Sequence, residues 1–159
     1  MSKKETVKFI VHLIATIATA IVTALGTTSC VGANKCYSNM FDGCTSLTSA
    51  PELPAKTLKD YCYAGMFQGC TKLTTAPELA AETLAEYCYQ LMFKGCTKLA
   101  SVTCKATNIG ANSCLNSWLD GAGTEATSPK LHILSTDANA DANWNLPTTP
   151  DTWQITRDQ

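Results

Sequence analysis

The chain has 159 residues, with 12 Lys and Arg against 13 Asp and Glu, and a formal net charge of −1. That balance excludes a broad basic footprint for nucleic acid, and a hydrophobic share of 45% excludes a disordered chain. Nine cysteines exceed the usual intracellular content, fall short of a disulfide knot, and are odd in number.

The first segment, 1–30, has a basic start at Lys3 and Lys4 and an uncharged run from Phe9 to Asn34, nearly all aliphatic, Ala and Thr up to Leu25. A basic start, an apolar middle and a small-residue end read as an export signal. Ser29 before Cys30 resembles the cleavage site of bacterial lipoproteins, with Cys30 as the lipidated residue, although Thr27 stands where those signals usually carry an aliphatic side chain. Two other readings stay open. The segment can remain as an uncleaved membrane anchor, with Ala20 and Ala24 allowing close helix packing, or it can be a buried core helix. His12 within it reads as tolerated, not as a ligand.

The middle segment, 31–121, is a repeat. CYSNMFDGCTSLTSAPELPAKTLKDY (36–61), CYAGMFQGCTKLTTAPELAAETLAEY (62–87) and CYQLMFKGCTKLASVTCKATNIGANS (88–113) align without gaps, and the first two agree at 17 of 26 positions. A degenerate fourth copy starts at Cys114, with Trp118, Leu119 and Gly121 at the Met, Phe and Gly positions. A fixed period of this size marks stacked coils that share one core. The unchanged apolar positions are the expected core: Met40, Met66 and Met92; Phe41, Phe67 and Phe93; Leu47, Leu73 and Leu99; and a Tyr column at 37, 63 and 89. Gly43, Gly69 and Gly95 suit a chain reversal at positive φ. Varying positions such as Asp42/Gln68/Lys94 are expected to face solvent.

Within each coil, Cys-Tyr-x-x-Met-Phe places apolar residues at i, i+1, i+4 and i+5, which predicts a short helix with one buried face. Leu-Thr-x-Ala (47–50, 73–76) predicts a brief strand, ended by Pro51 and Pro77. The expected fold is thus an α/β solenoid of about three coils, each giving one short strand and one short helix.

The motif Cys-Tyr-x-x-Met-Phe-x-Gly-Cys-Thr-x-Leu-Thr-x-Ala-Pro-Glu-Leu at 36–53 and 62–79 resembles the BspA-type leucine-rich repeats of Bacteroides-like surface proteins. The stretch 102–118 is similar to a closing repeat. The resemblance covers 36–121 strongly and 122–159 loosely. It implies a right-handed solenoid on an exported, often lipid-anchored protein, and a role in adhesion or host-protein binding. Relatives often carry many repeats, whereas this chain has barely three, so its binding surface is small.

The last segment, 122–159, is polar apart from Leu131–Leu134, Trp144, Trp153 and Ile155. It is expected to cap the last coil, with Trp144 or Trp153 packed on Trp118 and Leu119.

Candidate chemistry is sparse. Cys36/Cys62/Cys88/Cys114 and Cys44/Cys70/Cys96 form columns that fit small buried hydrophobes, or disulfides in an oxidising compartment. Zinc is disfavoured, since no Cys-x-x-Cys pair occurs and one of the two histidines lies in the signal segment. A catalytic cysteine would have only His132 as base. Asp137, Asn139, Asp141 and Asn143 space oxygen ligands as a calcium loop does, but Ala142 and Thr148 stand where Gly and a bidentate Glu belong, so a solvated turn is the simpler reading. Glu52 and Glu78 occupy equivalent positions and do not read as an acid–base pair.

No cofactor and no enzymatic activity are expected. The leading reading is a binding module of the bacterial envelope, at the outer membrane or cell surface, held by its N-terminal lipid or helix and taking a protein or glycan ligand. Lys72, Lys94 and Lys98 would form a positive patch beside Tyr63 and Tyr89, against the plainer reading that these lysines are a solvated wall and the tyrosines core. The alternative is a structural envelope protein, held by a retained transmembrane helix and with no dedicated ligand.

Overall fold

The computed structural model describes residues 34–134, 144–146 and 153–158. The expectation of one helix and one strand per coil is overturned. Among the described residues there is no helix, and only three short strands form, β1 (Ser101–Cys104), β2 (Lys130–Leu134) and β3 (Gln154–Asp158). They lie parallel in one open sheet, in the order β1-β2-β3. The segments 1–30 and 137–143, with the Cys30 and calcium-loop readings, fall outside the described residues.

The stretch read as helix is a ribbon of successive turns. Positive φ recurs at every fourth residue: Lys35, Asn39 and Gly43, then Tyr61, Gly65 and Gly69, then Tyr87, Leu91 and Gly95, then Ser113, Ser117 and Gly121. A right-handed helix needs negative φ throughout, so a left-handed residue in each group of four prevents one. The backbone bonds alternate instead. N–H groups of Ser38, Met40, Asp42 and Cys44 donate to carbonyls three residues back, at 3.1–3.4 Å. Those of Lys35, Tyr37, Asn39, Phe41 and Gly43 donate across to Asp60, Cys62, Ala64, Met66 and Gln68, at 2.8–3.0 Å. Each successive N–H thus finds a partner, first within its coil and then on the next, as buried backbone requires. The same alternation joins coil two to coil three, and coil three to Cys114–Asp120.

The strand wall also differs from expectation. In the first two coils only isolated bridges form, Leu53↔Leu79 and Thr57↔Thr83, because Pro51 and Pro77 each remove a donor. The third coil has Val102-Thr103 there, and β1 forms.

The gapless alignment fails in this coil. Thr75 pairs with Ser101, but Leu79 pairs with Cys104 and Thr83 with Asn108. The third coil is therefore one residue short between 101 and 104, and it regains that residue before Ser113. Cys104 consequently fills the Leu53/Leu79 position, fully buried, and Ala106 follows Ala55 and Ala81.

The columns form one core. Phe41, Phe67 and Phe93 stack with centroids 5.4 and 5.6 Å apart and planes 2° and 4° from parallel. Tyr37, Tyr63 and Tyr89 stack at 5.5 and 6.2 Å. Leu47, Leu73 and Leu99 are buried, as are Met66 and Met92. Met40 is not: it is 40% exposed, Cys36 is exposed and Cys44 only half-buried. No earlier coil lies over them among the described residues.

At the other end, Trp118 and Leu119 are fully buried beneath Trp144 and Trp153. Trp118 Nε1 donates to the Trp144 carbonyl at 2.8 Å, Trp153 Nε1 to Ala122 at 3.1 Å, and Asn145 Nδ2 to Leu115 at 2.8 Å. Trp144 Nε1 is itself buried without a partner.

Phe67→Ala is expected to cost about 3–5 kcal/mol, since it empties the middle of a stacked column. Gly95→Ala should cost about 1–2 kcal/mol through its left-handed φ alone, because an added Cβ would meet only ordinary contacts, at 3.8 Å from Gly69. Urea midpoints of the two variants against the parent measure both. Trp144→Ala should lose about 3–5 kcal/mol, and Trp144→Phe clearly less, since Phe keeps ring packing and removes the unpaired N–H. Equal losses in the same assay would contradict a cap held by packing.

Candidate functional site

The bridges Leu53↔Leu79 and Thr57↔Thr83 set equivalent side chains of the first two coils beside each other. A hollow of about 490 Å³ is lined by Glu52, Leu53, Pro54, Lys56, Glu78 and Ala80. A second, of about 410 Å³, is lined by Lys56, Thr57, Leu58, Glu82, Thr83, Leu84 and Ala85. Lys56 borders both, so the two hollows are neighbours on the first two coils. Their linings alternate in charge, with Glu52, Lys56 and Glu82 exposed. Lys105 Nζ reaches Glu78 Oε1 at 2.8 Å from the third coil.

Tyr61 and Tyr87 stand next along the chain. They are half-buried and stack at 4.6 Å with planes 7° from parallel. Lys35 Nζ sits 5.2 Å from the Tyr61 centroid, a cation–π distance. Asn112 Nδ2 donates to the Tyr87 hydroxyl at 3.2 Å. Neither tyrosine is among the expected binding residues. The pair's signal was present, a tyrosine at the last position of two consecutive copies.

Two of the three candidate lysines have acidic partners. Lys94 pairs with Asp120 at 3.3 Å and Lys98 with Glu125 at 4.0 Å, both exposed and each worth no more than about 1 kcal/mol. Lys72 is exposed, but Tyr63 and Tyr89 are core, each 1% exposed. The plainer reading of those tyrosines is the observed one.

Most of the cysteines serve packing. Cys70 Sγ donates to the Phe41 carbonyl at 3.1 Å, and Cys96 Sγ to Phe67 at 3.0 Å. Burial pushes both thiols from 9.0 up to about 12. Burial also raises Cys88 and Cys114, and the buried Tyr63 and Tyr89 phenols. Cys62 departs from its column. It is disulfide-bonded.

Among the described residues no three His, Cys, Asp or Glu side chains gather to hold a metal. His132 Nδ1 and Thr156 Oγ1 share a hydrogen bond of 2.6 Å between β2 and β3. Among the described residues no helix is long and apolar enough to cross a membrane.

A family of unknown function, DUF6486, matches residues 1–32. No curated protein and no solved structure matches the chain.

The raised thiols fix a pH dependence. In the unfolded chain Cys70 and Cys96 ionise near 9.0, and in the folded chain near 12. The folded state then holds its protons where the unfolded state has lost them, so this stabilisation is complete below pH 9 and disappears as pH rises through about 12. The urea midpoint is expected to fall over that range, and to fall less in the Cys70→Ala/Cys96→Ala double variant. A flat midpoint in the parent would contradict buried, neutral thiols.

Proposed function

We propose that the chain is an envelope-anchored binding module that takes a protein or glycan ligand across its first two coils. The observation that carries this reading is the pair of hollows sharing Lys56, with the stacked Tyr61 and Tyr87 following along the chain of the same two coils. The tyrosines supply rigid apolar area and hydroxyls at low entropic cost. Glu52, Lys56 and Glu82 supply two acceptors and a donor to orient a polar ligand.

The anchor is the N-terminal segment, held through a lipid or through its apolar run. The resemblance of 36–53 and 62–79 to BspA-type surface repeats supports export. The family match ends at residue 32, just before the first repeat. The intact mass of cell-extracted protein distinguishes the two: a chain starting at Cys30 with an added lipid supports the lipid anchor, and a chain still starting at Met1 overturns it.

For the ligand, the full chain in detergent is applied to an array of glycans and extracellular-matrix proteins. Tyr61→Ala and Tyr87→Ala should weaken the bound signal at least tenfold, a loss of about 1.4 kcal/mol. Lys98→Ala should leave it within about twofold, because its surface ion pair is a weak interaction. Intact cells should lose the repeat region to added protease. A repeat region protected on intact cells, with nothing bound on the array, would leave the structural envelope role instead.

A further inference from the structure

We propose that the Tyr87 ring face on the Ser113 side seats the guanidinium of an arginine carried by a protein partner. The inference rests on the binding module proposed above and narrows its ligand to a basic protein segment. Lys35, Tyr61, Tyr87 and Ser113 hold one position of four successive coils, each 26 residues from the next. The backbone ladder joins them in that order. The Lys35 N–H donates to the Asp60 carbonyl, that of Tyr61 to Glu86, and that of Tyr87 to Asn112, at 3.0–3.1 Å. All four residues share a left-handed φ, between 51° and 67°, so their side chains start from equivalent geometry.

The column shows what its end faces take. Tyr61 and Tyr87 stack at 4.6 Å, with planes 7° from parallel. Over Tyr61 the column continues with a cation, Lys35 Nζ, 5.2 Å from the ring centroid, which the negative face of the ring attracts. At the other end it stops at Ser113, whose side chain is too short to cover a ring. Among the described residues no ring or cation closes the Tyr87 face there. That ring is held by its rim. Asn112 Nδ2 donates to the Tyr87 hydroxyl at 3.2 Å, and Asn112 Oδ1 accepts from Ser113 Oγ at 3.3 Å. The seat is therefore set before a ligand arrives, which lowers the ordering cost of binding. The adjoining column adds charge. Glu86, directly before Tyr87, is exposed, and among the described residues it enters no ion pair. A guanidinium meets both demands, because its plane continues the parallel stack and its fork bonds a carboxylate. A neutral sugar would gain nothing from the carboxylate charge.

The test uses the full chain in detergent with 13C-labelled tyrosine. It is titrated at fixed ionic strength with acetyl-arginine amide or with the uncharged acetyl-citrulline amide. The chain has five tyrosines, and the buried Tyr63 and Tyr89 are internal references. Tyr87→Phe assigns the Tyr87 ring signals. These should shift saturably with the arginine probe, and about threefold less or weaker still with the citrulline probe, as an exposed cation–π contact allows. Ser113→Lys puts a cation at this end of the column, at a φ range that Lys35 already adopts. It should reduce the arginine shift by about threefold or more, whereas Ser113→Ala should retain it. Tyr63 and Tyr89 signals matching the parent check that both variants fold. No saturable shift in the parent, equal shifts with the two probes, or a full shift in Ser113→Lys would each overturn the arginine seat. The binding module is judged separately on the array. A ligand lost in Tyr87→Ala but kept in Ser113→Lys retains the module and overturns the seat, and a protein ligand lost in both supports it.

Discussion

The structure depends on one backbone rule: a residue at positive φ every fourth position along the ribbon. That rule turns successive amides alternately into the coil and out of it. Inward amides close local turns and outward ones bond the next coil, so the ribbon is both a turn and a sheet edge. The side chains follow. Between the left-handed positions Tyr, Met and Phe form columns toward the centre, while Asp42 and Lys94 stay exposed. The rings stack almost parallel because coil-to-coil translation repeats the same orientation. Packing and hydrogen bonding therefore reinforce one another, and neither operates without the other.

The two ends of the stack meet this rule differently. At the far end, tryptophan side chains do what another coil would do. Trp144 lies one period beyond Trp118 and takes its indole proton on a backbone carbonyl, while Trp153 closes over Ala122. At the near end the first coil keeps half-covered positions, Met40 and Cys36 among them. Residues that are identical in sequence thus acquire different chemistry from their place in the stack. Met40 touches solvent where Met66 does not, and Cys36 is exposed where Cys88 is inert.

The columns were legible in the sequence, because identical residues at one period can only mean one repeated environment. The helix was misread for a physical reason. Apolar residues at i, i+1, i+4 and i+5 satisfy a period of 3.6 and a period of 4 equally well over so short a stretch. The distinguishing signal was glycine at the third left-handed position of each coil, Gly43, Gly69 and Gly95, which was read as a single reversal. The missing residue in the third coil was hidden because it is regained before Cys114, so the flanking motifs stay in phase. The spacing of Ala55, Ala81 and Ala106 would have shown it. The ion pairs of Lys94 and Lys98 were not legible because their partners, Asp120 and Glu125, lie in the degenerate fourth copy, where the repeat pattern gives no guidance. The hollows and the Tyr61–Tyr87 pair emerge only when coils are laid side by side.

The one-residue slip in the third coil has a consequence for how such a chain can lengthen. Up to Thr75↔Ser101 the coils are interchangeable, and every bridge spans one full period. A duplicated cassette spliced in after Tyr61 would therefore meet a neighbour of its own kind on each side, and all ladders would close. Spliced in after Cys104, the same cassette would arrive one residue out of step, turning inward-facing side chains to solvent. The slip divides the molecule into a part that unequal recombination can extend and a part that it cannot. The hollows and the tyrosine pair lie in the extensible part, so each added copy would lengthen the surface on which a ligand could rest.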